Sequence, residues 1–100
     1  MTEHSSLCET VRELAVAVIA ERRAALTDAG LRTTIEVERW TAKDGSESSE
    51  LRVAFWRDNA FIDIVEDFIV QDGTPVASLD GLRQWLERSV NAIMEENRGG

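Results

Sequence analysis

One cysteine, one histidine, one proline, one lysine and no tyrosine occur in 100 residues, and the first two scarcities each close off a class of chemistry. With Cys8 alone, no internal disulfide can form, and a reducing compartment is the expected home. With His4 and Cys8 as the only soft donors, a structural zinc site, which takes four ligands, is out of reach. An imidazole mechanism would have to use His4, for which a solvated terminal position is expected. Cys8 falls in the first turn of an expected helix, where the dipole favours a thiolate. Glu3 and Glu9 flank it, however, and no base adjoins it, so a buried or inert small side chain is expected. No apolar run approaches the roughly 20 residues of a membrane span. Met1-Thr2-Glu3-His4 lacks the basic-then-apolar pattern of a secretory signal, so the expectation is a cytoplasmic protein with no membrane contact. Basic residues are also few: 11 against 19 acidic ones, for a net charge of -8. That balance disfavours nucleic acid as a partner. It suits solubility, or a basic protein partner drawn in by electrostatic steering.

What is present is an ordinary globular composition, 43% hydrophobic and 30% charged. It predicts one domain over residues 1–100, burying roughly two-thirds of its unfolded surface, with 1–5 and 97–100 disordered. Ser6 and Glu9 have the spacing of a capping box. Leu7, Val11, Leu14, Val18 and Ala25 then recur at helical steps, widened by Ala15, Ile19 and Leu26, until Gly30 closes the segment. A helix over 7–29 would be about 34 Å long. Leu31 to Thr41 alternates, with Leu31, Thr33, Ile35 and Val37 on one face and Arg32, Thr34, Glu36 and Glu38 on the other. Trp40 either turns inward at a bulge or stands on the outer face. Lys43 to Ser49 is turn-forming and makes a hairpin with a second strand, Leu51 to Arg57. Asp58-Asn59 reverses tightly into a third strand from Ala60 to Val70, with a bulge or break expected at Glu66-Asp67. Ser78 or Asp80 caps a last helix whose stripe is Leu79, Leu82, Leu86, Val90 and Ile93. Whether 68–76 adds a further hairpin is left open.

The resulting expectation is an α+β fold in two layers: an antiparallel sheet of three to four strands with both terminal helices on one face. A seven-residue strand covers only about 23 Å. The first helix is therefore expected to overhang the sheet, bend, or pack against something else, and the mismatch favours a surface for another molecule.

This order of elements resembles that of double-stranded RNA-binding domains, in layout alone. Such domains begin their last helix with lysines that grip phosphates. Ser78-Leu79-Asp80-Gly81-Leu82-Arg83 has no lysine, so RNA binding is not expected.

No residue pattern carries catalysis, and no cofactor or metal is implied. Glu36, Glu38, Asp63, Glu66 and Asp67 lie on strand faces, where carboxylates are normally solvated. Asp44-Gly45-Ser46 and Asp72-Gly73-Thr74 do not fit a calcium loop and read as turns. Arg22-Arg23 suit the negative end of the first helix. Aromatics are the better lead. By parity, Trp56, Phe61, Val65 and Trp40 share the sheet face away from the helices, interleaved with charges including Arg52. Aromatic residues amid mixed charge characterise protein interfaces. The expectation is therefore a small acidic non-catalytic interaction module, chaperone-like, immunity-like or regulatory by analogy of size and charge. It would form a homodimer through the open face or the long helix and bind a basic protein partner. The alternative is a small-ligand binder or enzyme subunit with a pocket between helices and sheet, lined by Phe55 and Trp85 and reached by Glu66 or Asp67.

Overall fold

The structure, a computed structural model, describes residues 2–98, with side chains from His4 onward. Its elements are α1 (Thr2–Glu21), α2 (Arg23–Asp28), β1 (Arg32–Thr41), β2 (Glu47–Arg57), β3 (Ala60–Gln71), β4 (Thr74–Pro75) and α3 (Leu79–Asn97). The four strands form one antiparallel sheet in the order β1-β2-β3-β4. This is the two-layer α+β arrangement expected from the sequence.

The layers meet in a core that draws from both. Leu51, Val53 and Phe55, alternate residues of β2, are fully buried. They pack with Val11, Ala15, Val18 and Ile19 of α1 and with Leu82, Leu86, Val90 and Ile93 of α3. Among the described residues, the helices thus cover one sheet face and leave the other bare. Glu21 of α1 receives two hydrogen bonds from Arg83 Nη2 of α3, at 2.8 and 2.9 Å, tying the helices together at the surface.

The first helical segment departs from a single rod. Arg22, at φ −110° and ψ 12°, separates α1 from the six-residue α2. Its guanidinium donates back to the Val18 carbonyl and across to Asn91 Oδ1 of α3, so the break is tied to the second helix. Past the break the helical phase shifts: Leu26 is buried, whereas Ala25 is exposed. Ser6 and Glu9 lie within α1, which includes Thr2, so they do not cap it. The C-terminal end is as expected. Gly30, at φ 74°, donates to Thr27 O and Leu31 N donates to Leu26 O, the paired bonds of a Schellman closure. Arg57 Nη2 adds a hydrogen bond to the Ala29 carbonyl. Ser78, rather than Asp80, caps α3 by accepting from the Gly81 amide.

The strands are longer than their hydrophobic runs suggest. β2 begins at Glu47, and its 11 residues span about 36 Å. α1, at 20 residues, spans about 30 Å. The expected overhang of the first helix therefore disappears, and with it one reason to assign that helix a partner. Polar Glu47, Ser48 and Ser49 read as loop in isolation, but Ser48 and Ser49 are buried within the strand.

β3 runs unbroken through Glu66-Asp67, and its irregularities lie towards the two ends instead. The register against β2 shifts between Phe55 and Trp56 and again between Ser49 and Glu50, leaving Ile62 and Ile69 as extra residues. Each shift resets the side-chain parity. Trp56 opposes Phe61, but Val53 opposes Val65 and Ala54 opposes Ile64. Val65 therefore packs against the core rather than sharing the outer face with Phe61. Ile64, which unbroken alternation with Phe61 and Val65 would turn towards the helices, stands outside and is 37% exposed. The open question over 68–76 resolves as a short hairpin, in which Asp72 and Gly73 take positive φ and Gln71 pairs with Thr74.

Residues 2–5, expected to be disordered, belong to α1, and Asn97 ends α3. The rest of that expectation falls on Met1, Gly99 and Gly100, outside the described residues, and on Arg98, which follows α3.

Candidate functional site

Register places Arg32, Thr34, Glu36, Glu38 and Trp40 of β1 on the bare face. β2 contributes Ser48, Glu50, Arg52, Ala54 and Trp56, and β3 contributes Phe61, Ile64, Glu66 and Phe68. No register shift interrupts β1 against β2, so Trp40 is an outer-face residue, and it is 43% exposed.

Aromatic pairs occupy both ends of this face. At one end Trp56 meets Phe61 edge-on, with ring centroids 5.6 Å apart at 81°. Arg32 lies 5.1 Å over the Trp56 ring, and the indole N–H donates to Thr34 Oγ1 at 3.1 Å. At the other end Trp40 and Phe68 lie 6.0 Å apart. Trp40 opposes Ser48, whose hydroxyl accepts from the Asp72 amide, and Phe68 opposes Glu50. The eight-residue step from Ser48, opposite Trp40, to Trp56 sets the two tryptophans roughly 26 Å apart along the sheet.

Between them sits a charge cluster centred on Arg52. Its guanidinium pairs with Glu38, with Glu50 at 2.7 Å and with Glu66 at 3.2 Å. The hydrogen bond that Arg52 donates to Glu50, aided by the other carboxylates, raises the Arg52 pKa above its ordinary value. Counting Glu36, four carboxylates face two guanidiniums, Arg32 and Arg52, so the face is net acidic.

Of the outer-face residues expected from the sequence, the structure brings Trp40, Trp56, Phe61 and Arg52 onto one surface. It adds Phe68, Ile64 and Glu50, which sequence parity did not assign there. Pairing Glu66 with Arg52 as opposite charges would have found Ile64 and Phe68, each two residues away on the same face.

The four residues of the alternative pocket do not converge. Phe55 is wholly buried in the core and Trp85 packs on its margin. Glu66 lies on the outer face, whereas Asp67 opposes Leu51 on the inner one and accepts from the Phe68 amide.

A second polar group was missed. His4, expected to be a solvated tip, docks on the sheet at the start of β2. Its Nδ1 lies 2.5 Å from Glu47 Oε1 and its Nε2 lies 3.0 Å from Ser49 Oγ. Arg39 donates to Ser5 Oγ nearby and approaches Glu47. The signal was present, since His4, Leu7 and Val11 extend the helical stripe by one turn. The connectivity of serine, histidine and carboxylate is that of a hydrolytic triad. A nucleophile must reach substrate, however, and Ser49 is wholly buried. The group works instead as a clamp holding the first turns of α1 to β2. It borders a cleft of about 500 Å³ lined by Leu7, Glu47, Val70 and Pro75 among others.

His4→Ala should cost about 1–2 kcal/mol in chemical denaturation, because it leaves the buried Ser49 hydroxyl without its partner. Ser49→Ala should cost less. The clamp should also respond to acid. The hydrogen bond from His4 lowers the Glu47 pKa below its ordinary 4.5. A depressed folded-state pKa gives stability that is complete above the unfolded value and is lost as pH falls through the folded one. Amide protection factors in the first turns of α1, taken relative to intrinsic exchange at each pH, should therefore fall below about pH 4.5, and more weakly in Glu47→Gln.

Cys8 is buried, as expected of an inert thiol. Among the described residues no cluster of three or more His, Cys, Asp or Glu side chains could hold a metal, and no helix is long and apolar enough to cross a membrane. Comparison with protein-family models, with curated proteins and with solved structures finds no match to this chain.

Proposed function

We propose that this protein is a non-catalytic interaction module whose bare sheet face docks a basic protein partner. The observation that carries the reading is the pair of exposed aromatic anchors bracketing an excess of carboxylates. Phe61 is 55% exposed and Trp40 43%, each on a rigid strand beside a second ring. Aromatic side chains held in place lose little entropy on binding and are favoured as hot spots. The carboxylates around Arg52 favour a partner that brings Lys or Arg to the middle of the contact, and a net charge of -8 steers such a partner in. The second part of the proposal is self-association as a homodimer. Two copies stacked through this face would set carboxylates against carboxylates, so the dimer contact lies elsewhere on the molecule.

An isotope-labelled sample titrated with a synthetic peptide of alternating Lys and Leu tests the docking face. Resonance shifts should concentrate at Trp40, Trp56, Phe61 and Phe68. Affinity should fall at least tenfold in the Trp56→Ala, Phe61→Ala double variant, and should weaken with added salt. Shifts concentrated on α1 and α3, or no binding at low salt, would refute the reading.

A further inference from the structure

The two edges of the sheet are finished differently. β4 has two residues, one of them Pro75, which has no amide N–H to offer a further strand. β1 has ten residues, no proline, and an unbroken register against β2. Among the described residues no backbone group pairs with its free edge. Natural sheets usually blunt an edge of this length, because it is a template for another strand.

The outward-facing groups can be assigned. Ala42 N donates to Ser46 O at 2.8 Å, in register with the Thr41–Glu47 pair that follows. Hydrogen-bonded and non-bonded pairs alternate along an antiparallel ladder. Even-numbered residues of β1 therefore bond to β2, while Thr33, Ile35, Val37 and Arg39 turn their N–H and C=O groups to the free edge.

We propose that β1 pairs with β1 of a second copy, antiparallel about a two-fold axis at Ile35, making one continuous eight-stranded sheet. This deepens the self-association in the preceding reading and names its seam. A two-fold axis perpendicular to the sheet keeps outer face beside outer face. Charge then selects the register, because like charges directly opposite are destabilising. An axis at Glu36 sets that carboxylate against its own copy, and an axis at Val37 sets Glu36 against Glu38. With the axis at Ile35, Arg32 meets Glu38 of the second copy and Thr34 meets Glu36, each twice. Ile35 then meets Ile35, and Thr33 meets Val37, on the half-buried inner face. An axis at Thr34 also avoids like charges, but it engages residues 32–36 where the Ile35 axis engages 32–38. Side-by-side pairing leaves the aromatic face free on both copies. It also keeps the acidic surfaces apart, apart from the strands' own side chains.

Light scattering of the intact chain at high micromolar concentration should give twice the 11.2 kDa chain mass. Arg32→Glu and Glu38→Arg should each weaken the dimer at least tenfold, and their combination in one chain should restore it to within about threefold. In a Cys8→Ser background, Thr34→Cys and Glu36→Cys chains should form a disulfide dimer on oxidation only when mixed. Circular dichroism melts confirm that each variant is folded. A dimer indifferent to both charge reversals, or one dissociated by Phe61→Glu on distant β3, overturns the seam while leaving self-association intact. A monomer at these concentrations overturns both, and peptide docking on the aromatic face stands or falls separately.

Discussion

Val53→Asp should yield a chain with no cooperative thermal transition. Val53 is fully buried at the middle of β2, between Ile35 and Val65 on its neighbouring strands and beneath the helices. Of the charged residues near in register, Arg52 and Glu66 point to the opposite face. A carboxylate placed there must be buried unpaired or take up a proton, and either costs several kcal/mol. A domain of this size has only about 5–15 kcal/mol of stability to lose. Loss of near-ultraviolet dichroism and a non-sigmoidal melt are expected. A sigmoidal melt within a few degrees of the parent would mean that the inner face is not where the register places it.

The second large effect sets the two faces against each other. Phe55→Ala should lower stability by about 3–5 kcal/mol, the usual range for emptying a buried aromatic site. For a domain of this size that is a fall in Tm of at least about 12 °C. Phe55 is wholly buried, so its ring leaves a cavity bounded by residues of both helices and the sheet. Phe61→Ala removes a ring of the same size from the bare face, where it is 55% exposed. Its loss should cost only about 1 kcal/mol, largely the edge-on contact with Trp56. The same substitution at two positions of one sheet should therefore separate a side chain held for folding from one available for docking. Equal losses at the two sites would mean that the outer aromatics are structural, and the interaction proposal would lose its anchors.

The outer face also shows why a strand can be read correctly and still have its surface misassigned. Trp56 and Phe61 were legible as outer residues because they flank a two-residue reversal, where parity is counted over a short distance. Val65 was not. One extra residue at Ile62 inverts the side chains from Asp63 to Phe68, until Ile69 resets them, and nothing in Phe61-Ile62-Asp63-Ile64 marks where the first extra residue falls. The choice between Ile62 and Ile64 for the interior was made by the helices that needed filling, since both side chains are equally apolar. Trp40 went the other way: its alternation with Glu38 and Glu36 was regular, and the unbroken register kept it outside.

His4 and Ser49 were hidden for a related reason. Polar residues next to a turn have the composition of a loop. Ser49 becomes strand only because Val70 pairs with it on one side and Arg39 on the other. His4 continues the helical stripe, but its role as a clamp exists only because its imidazole finds Glu47 and Ser49, 43 and 45 residues away. Such partners do not exist at the level of local propensity.

Alternation of period two and stripes of period 3.6 are local properties, and they alone determined the order of elements, the two layers and the buried identities of Leu51, Val53, Phe55, Leu82 and Leu86. Tertiary structure decided the break at Arg22, the bulges that turn Val65 inward and Ile64 outward, the clamp at His4, and the contrast between a blunted edge and an open one. Those features depend on contacts between residues far apart in the chain, whose energies appear only once helices and sheet compete for the same space.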